Sequence, residues 1–90
     1  MPTVKFTYAL KRFFPKLKDT PAYASSLPGI FKEIESSYPG LTSYVLDERG
    51  CLRRHVNIFI DDKMINDRSK LSDLLTSNSE IYIMQALSGG

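Results

Sequence analysis

The most restrictive feature of this sequence is one amphipathic segment near its middle, at residues 27–38. Apolar side chains recur there at spacings of three and four residues, and the opposite side of the segment is charged. The apolar positions are Leu27, Ile30, Phe31, Ile34 and Tyr38, and the charged positions are Lys32, Glu33 and Glu35. This spacing predicts one main helix that buries a single stripe, begins after the cap Ser26 and ends before Pro39.

Two segments near the ends of the chain alternate apolar and polar residues, which is the pattern of half-buried strands. In "TVKFTYAL" the residues Val4, Phe6 and Tyr8 share one side, and in "EIYIMQ" the residues Ile81 and Ile83 do. Because both strands need an apolar cover, we expect the last strand to lie beside the first, with the main helix packed over both.

The remaining segments connect these three elements. The stretch "SYVLDERGCLRRHVNIFIDDKMI" predicts a hairpin around "DERG", where Gly50 can take a positive φ. The second arm of this hairpin has Val56, Ile58 and Ile60 on one face, and a short piece at Met64–Ile65 follows it. The stretch "KRFFPKLKDTPAYA" predicts a long connection because it holds two prolines, and "SKLSDLLTSN" predicts one helical turn and a loop.

This order of elements predicts an α+β domain of the β-grasp, or ubiquitin-like, class. We expect a mixed sheet of four to five strands packed on one main helix. Residues 1–85 form the domain in this interpretation, and residues 86–90 form a flexible tail that leaves the last strand. A chain of 90 residues that is 42% hydrophobic is long enough for one such core.

The alternation of the strands also predicts an apolar patch on the open face of the sheet. Phe59, Tyr82 and Met84 are expected there because their neighbours in sequence face the helix. Exposed apolar residues that lead directly to a chain terminus are typical of a partner-binding surface. The alternative is that neighbouring loops cover these three side chains.

The basic residues are concentrated at the start of the chain. Five of them precede Asp19, the first acidic residue, and they are Lys5, Lys11, Arg12, Lys16 and Lys18. Their mixture with Phe13 and Phe14 is compatible with nucleic-acid contact, in which cations meet phosphates and aromatic rings stack on bases. A solvated basic loop with Phe13 or Phe14 turned into the core explains the pattern better, so we expect no nucleic-acid partner.

No residue pattern indicates a metal site, a catalytic site or a membrane span. Cys51 is the single cysteine, and His55 has no clustered ligands. Asp61 and Asp62 are consecutive and predict a polar turn, because neighbours on a strand point in opposite directions. No apolar stretch approaches the ~20 residues of a membrane helix, and we expect a cytoplasmic protein without a membrane partner.

The sequence ends on "ALSGG", Ala86 to Gly90, directly after the last predicted strand. Glycine loses the most conformational freedom when it is ordered, so two terminal glycines contribute nothing to a core. A peptide without side chains that ends in a carboxylate suits a narrow channel in another protein. We therefore expect Gly90 to be the residue on which a partner acts.

The final strand running into "ALSGG", the opening strand, the helix ending at "YPG" and the segment "HVNIFIDD" together resemble the sulfur-carrier proteins of the MoaD/ThiS type. That family includes the small subunit of molybdopterin synthase and the sulfur carrier of thiamine synthesis. The resemblance spans essentially the whole chain in the order of its elements.

The resemblance implies a co-substrate and not an enzyme, although such a chain can be the small subunit of a sulfur-transferring synthase. A ubiquitin-activating-type enzyme would use ATP to adenylate the Gly90 carboxylate, and the chain itself would bind no cofactor. A sulfurtransferase or cysteine desulfurase would supply the sulfur that converts Gly90 to a thiocarboxylate. The tail residues Gly89, Ser88 and Leu87 would enter the enzyme's channel, and an acceptor synthase would receive the sulfur.

The sequence leaves three functions open. The first is sulfur transfer in cofactor, thiamine, amino-acid or tRNA biosynthesis. The second is protein modification, in which activated Gly90 is joined to a lysine of a target protein. The third is a β-grasp binding module whose tail is inert. Carrier and modifier share the same activation chemistry, so only the nucleophile that attacks Gly90 distinguishes them.

Overall fold

The structure is a computed structural model that describes residues 1–85, and its strands form one five-stranded mixed sheet. The helices are six, eleven and five residues long. In chain order the elements are β1 (Thr3–Phe6), α1 (Tyr8–Phe13), β2 (Thr20–Pro21), α2 (Leu27–Ser37), α3 (Leu41–Val45), β3 (Val56–Ile60), β4 (Lys63–Met64) and β5 (Glu80–Gln85).

The first and last strands lie side by side at the centre of the sheet, as the sequence predicts. The strand order is β2-β1-β5-β3-β4, and β1 and β5 run parallel. Their register pairs Val4 with Ile81 and Phe6 with Ile83, while antiparallel β3 pairs Ile58 with Ile83. The remaining pairings, of β2 with β1 and of β4 with β3, are antiparallel.

The main helix and the inner face of the sheet form the core. The four apolar residues of the α2 stripe, Leu27, Ile30, Phe31 and Ile34, are buried, as are Val4, Phe6, Val56, Ile58, Ile81 and Ile83 on the strands. Each fully buried aliphatic side chain contributes roughly 1.5–3 kcal/mol relative to exposure. The predicted cap is also confirmed, because Ser26 Oγ accepts a hydrogen bond from the Gly29 N–H at 3.2 Å.

The prediction of a strand in the first arm of the hairpin is wrong, because a short helix reaches into this stretch. Residues Leu41–Val45 form α3, and only an isolated bridge between Leu46 and Leu52 remains of the hairpin ladder. Gly40 has a φ of 93°, which separates α3 from α2. Leu41 and Val45 are one helical turn apart, so the helix buries both on the same side.

A side chain of α2 caps the start of α3. The Glu35 carboxylate accepts hydrogen bonds from the Gly40 N–H at 2.9 Å and from the Thr42 N–H at 3.4 Å. The bond from Gly40 is the main reason that the pKa of Glu35 lies below its ordinary value. The cap comes from five residues upstream, and no local pattern in the sequence indicates it.

The prediction of a long connection without regular structure after β1 is also wrong. The connection contains α1 and the two-residue strand β2. Tyr8, predicted on the buried side of the first strand, instead begins α1 and is 75% exposed. The helix forms because Ala9 and Leu10 both enter the core after the extended residue Thr7. Of the two adjacent phenylalanines, Phe14 packs against the core.

The stretch "SKLSDLLTSN" begins in a single helical turn, in which the Leu71 N–H donates to the Asp67 oxygen at 3.1 Å, and then continues without regular structure, as predicted. The carboxylates of Asp67 and Asp73 organise the loop of residues 66–73. The Asp67 carboxylate accepts hydrogen bonds from the backbone N–H groups of Ser69, Lys70 and Ser72 and from the Ser72 hydroxyl. The Lys70 bond is the largest of the effects that lower the pKa of Asp67 to about 2. The loop also holds Leu71 buried at a φ of 55°.

We expect Asp67→Asn to destabilise the domain in a pH-dependent way. The folded-state pKa of Asp67 lies below its ordinary value of 3.8, so its charged form stabilises the fold above pH 3.8. That stabilisation is lost as the pH falls toward 2. Urea unfolding should be measured from neutral pH down to pH 2. We expect the difference in the free energy of unfolding between Asp67→Asn and wild type to become smaller as the pH falls. Asp62→Asn, at an exposed turn position, is the control, and a pH-independent difference for Asp67→Asn would contradict the prediction.

Candidate functional site

The face of the sheet opposite the helices presents the three apolar side chains expected there. Tyr82 and Met84 are each 38% exposed, and Phe59 is partly buried beside Tyr82. Their strand neighbours Ile81 and Ile83 face the core and are fully buried. The described loops therefore leave Tyr82 and Met84 accessible, and the role of the patch in partner binding stays a prediction.

Met64 extends this patch, and the sequence reasoning missed it. Strand β4 pairs Met64 with Phe59, and the Met64 side chain is 51% exposed. The feature of the sequence that could have indicated Met64 is the pair Asp61–Asp62. These two residues form the turn between β3 and β4 and have φ angles of 50° and 70°. A two-residue turn fixes the register, so it places Met64 opposite Phe59. We name the four residues Phe59, Met64, Tyr82 and Met84 the open-face patch.

Polar contacts border the patch at both ends of β5. Lys5, which is paired in register with Tyr82, forms an ion pair with Glu80 at 3.3 Å. Both side chains are well exposed, so this pair contributes little to stability. At the other end Asn57 is paired in register with Met84. Together these residues give the apolar patch the polar rim that is typical of protein interfaces.

Arg68 fixes the loop 66–73 against the start of β3. Its guanidinium donates hydrogen bonds to Asn57 Oδ1 at 2.9 Å and to the backbone oxygens of Arg53 and Val56 at 2.6 and 2.9 Å. The sequence reasoning missed Arg68, because its acceptors lie 11 to 15 residues earlier in the chain. The contact holds Asn57 in place beside the patch.

The last described strand is held on both sides up to its end. On one side Gln85 is paired in register with Val56. On the other side the Gln85 N–H donates to Thr7 Oγ1 at 3.3 Å, and the Thr7 N–H donates to the Ile83 oxygen at 3.1 Å. The predicted tail site, Leu87, Ser88, Gly89 and Gly90, lies outside the described residues, as does the proposed 86–90 boundary.

The other polar candidates have structural contacts. Asp61 accepts a hydrogen bond from the Glu80 N–H at 2.9 Å, and the two aspartates form the β3–β4 turn as predicted. The Cys51 N–H donates to Asp47, which lowers the pKa of that carboxyl. Within residues 1–85, no three His, Cys, Asp or Glu side chains are grouped as metal ligands. No helix of the described part has the length and apolar character to cross a membrane.

Comparison with known proteins finds curated relatives by sequence and further similar proteins by structure. The sulfur carrier protein CysO of Mycobacterium tuberculosis is 25% identical over 75 residues, which is 81% of each chain. The same protein of Mycobacterium bovis matches equally. No protein-family model matches the chain.

Solved structures match over nearly the whole chain. A chain of the Amycolatopsis orientalis BexX/CysO complex aligns with a TM-score of 0.83 at 20% identity and covers 100% of both chains. Mycobacterium tuberculosis CysO gives 0.81 at 22% identity, covering 97% and 100%. Small archaeal modifier protein 1 of Methanosarcina acetivorans gives 0.79 at 22% identity, covering 99% and 95%. The predicted β-grasp fold and the predicted resemblance are both confirmed.

Substitutions of neighbouring residues of β5 should distinguish the contributions of the core and of the open-face patch to stability. Ile83→Ala removes a fully buried side chain, and we expect a loss of roughly 2–5 kcal/mol in the free energy of unfolding. Met84→Ala, on the other face of the same strand, should cost less than about 1 kcal/mol. Urea denaturation measures both values, and equal losses would show that Met84 is a core residue.

Proposed function

We propose that this chain, which resembles the MoaD/ThiS-type sulfur carriers and has the ubiquitin-like fold, carries sulfur as a thiocarboxylate on Gly90. The observation that supports this most strongly is the combination of two findings. The chain is similar to a protein named as a sulfur carrier, and its central strand ends five residues before Gly90.

The chemistry requires activation of the terminal carboxylate. A carboxylate is a poor electrophile because its negative charge repels nucleophiles. An oxygen of the Gly90 carboxylate attacks the α-phosphorus of ATP and displaces pyrophosphate, which leaves an acyl adenylate. A ubiquitin-activating-type enzyme provides the ATP site for this step. The protein is accordingly a substrate of that enzyme and supplies no catalytic group itself.

Sulfur then replaces the adenylate. The terminal sulfur of a persulfide, supplied by a sulfurtransferase or a cysteine desulfurase, attacks the Gly90 carbonyl carbon. AMP leaves with the electron pair of the broken C–O bond. A second thiol then attacks the donor-cysteine sulfur of the resulting acyl disulfide, which breaks the S–S bond, forms a disulfide with the donor cysteine and releases the thiocarboxylate. An acceptor synthase takes this sulfur for cofactor, thiamine, amino-acid or tRNA biosynthesis.

The tail and the open-face patch have separate tasks in this proposal. Leu87, Ser88 and Gly89 carry Gly90 into the active site of each partner, where a side chain at residue 89 or 90 would widen the peptide. The open-face patch docks first the activating enzyme and later the acceptor synthase. It suits this task because it is apolar, has a polar rim and includes two side chains of β5, the strand that precedes residue 86.

Protein modification is the second candidate function. The observation that favours it is the structural similarity to small archaeal modifier protein 1. In this case a lysine amine of a target protein attacks the activated Gly90 carbonyl, and an isopeptide bond forms. Conjugates of high molecular weight that disappear on deletion of Gly89 and Gly90 would support this function.

Mass spectrometry of the intact protein tests the sulfur-carrier proposal. After incubation with an adenylating enzyme, ATP and a persulfide donor, we expect one oxygen to be exchanged for sulfur on the C-terminal peptide. Gly90→Ala should reduce this product more than Ser88→Ala, because residue 90 forms the reacting bond. One bulky residue added after Gly90 should abolish it without changing the melting temperature. Sulfur on Cys51, or normal function of the extended chain, would contradict the proposal.

Met84→Asp tests the docking role of the open-face patch. A charge in the centre of an apolar interface remains unpaired when the partner binds, so we expect at least a ~10-fold loss of adenylation efficiency. Circular dichroism should show that the variant is folded. Asp62→Asn, which keeps a side chain that tolerates the φ of 70° at this exposed turn position, is the control and should be adenylated normally. Unchanged adenylation of folded Met84→Asp would exclude the patch as the docking site.

A further inference from the structure

The helix α1 exposes an aromatic side chain that the core does not use. Phe13 is 57% exposed, and its ring stacks on Tyr44 of α3 with centroids 5.2 Å apart and an angle of 26°. Tyr44 is itself 39% exposed and meets the edge of Phe14 at 5.4 Å. The two aromatic rings therefore form an apolar area outside the open-face patch.

A groove of about 330 Å³ lies next to this aromatic pair. Its apolar lining consists of Phe13, Phe14, Pro15, Tyr38 and Pro39, and Lys16 and Ser37 also line it. No acidic residue lines it. The groove is large enough to take one apolar side chain of a partner.

The one charged side chain that lines the groove, Lys16, is basic, and so is the segment around it. The segment that contains α1 and the following loop carries Lys11, Arg12, Lys16 and Lys18 and no acidic residue before Asp19. Among residues 1–85 none of these four cations forms an ion pair, since the two ion pairs of that part involve Lys5 and Arg49. Unpaired cations on the segment that contributes to an apolar groove attract an acidic partner and select against a basic one.

The helix α1, which carries Arg12 and Phe13, starts beside the end of the last described strand. Helix α1 begins directly after Thr7, the residue that is hydrogen-bonded to both Ile83 and Gln85. A partner that binds α1 therefore reaches the same end of the sheet from which residues 86–90 continue. We name Arg12, Phe13, Lys16 and Tyr44 the basic–aromatic surface.

We propose that the basic–aromatic surface is a second docking site, which binds an acidic segment with one apolar anchor on the enzyme that acts on Gly90. The anchor enters the groove, and the carboxylates of the segment pair with Arg12 and Lys16. This inference rests on the proposed function, because it names a contact of the activating enzyme. It adds a charged contact on α1 and the following loop to the apolar contact of the open-face patch.

A nucleic acid fits this surface less well than an acidic protein segment. Single strands bind along successive aromatic platforms. Here Tyr44 covers one face of the Phe13 ring, and the edge of Phe14 meets Tyr44. The pair thus offers the outer face of Phe13 as a platform, whereas an anchored acidic peptide uses the groove and the cations together.

Charge reversal tests the proposal through the kinetics of adenylation. The double variant Arg12→Glu/Lys16→Glu should raise the KM for this chain about 10-fold and leave kcat unchanged, because two rim charges act on docking. Phe13→Ala should raise KM in the same way, and the wild-type KM should rise with salt. Lys32→Glu/Lys70→Glu has the same charge change on other elements and should retain the wild-type KM. Thermal melts establish that all four proteins are folded.

A binding measurement without the enzyme separates the possible outcomes. The ¹⁵N-labelled protein is titrated with a glutamate-rich peptide that has one central leucine, and with oligothymidine. Saturable shifts at Phe13, Phe14, Lys16 and Tyr44 with the peptide support the proposal. Stronger binding of oligothymidine at these residues, or peptide shifts confined to Tyr82 and Met84, would overturn it.

The kinetic outcomes also separate this inference from the proposed function. Adenylation of the wild type with an unchanged KM for Arg12→Glu/Lys16→Glu refutes the second docking site and leaves the sulfur carrier intact. Absence of adenylation and of sulfur transfer for the wild type refutes the proposed function. It also refutes the assignment of this surface to the activating enzyme.

Discussion

The parallel pairing of β1 with β5 is the interaction on which the rest of this structure depends. It joins Val4 to Ile81 and Phe6 to Ile83, residues separated by 77 positions in the chain, so nothing local specifies it. The pairing creates the buried centre that α2 covers, and β2, β3 and β4 are added at its two sides. Loss of this pairing would remove both the core and the fixed end of β5 at Gln85.

The strict alternation of β5 builds the core and the candidate binding face with one set of residues. Ile81 and Ile83 fill the interior, and Tyr82 and Met84 stand between them on the outside. A shift of one residue in register would exchange the two sets, which would place Tyr82 against α2 and expose isoleucines. The burial of the core therefore also specifies which side chains the open face presents, and in which order along the strand.

The elements with a strong hydrophobic periodicity of their own can be predicted from the sequence. The elements that depend on contacts with distant side chains cannot. The stripe of α2 and the alternation of β1, β3 and β5 are local signals, and the structure contains all four elements. The helix α3 depends on Gly40 and on a cap from Glu35, and the position of Arg68 depends on acceptors in another segment. Likewise Met64 joins the open-face patch through the register of a turn. These contacts are tertiary, so propensity and periodicity do not contain them.

The position of β5 in the sheet also bears on how a partner can handle the residues that follow it. An edge strand is held by one neighbour and can be peeled away, but β5 is paired with β1 over four residues and with β3 over five. A force on Gln85 along the strand direction acts on the hydrogen bonds to both neighbouring strands at once, and on the core beneath them. Any enzyme that draws residues 86–90 into its active site would thus act on the terminus while the domain stays folded. Under the proposed function, the reaction at Gly90 and the stability of residues 1–85 are therefore separated along the chain, and the two proposed docking surfaces would link them.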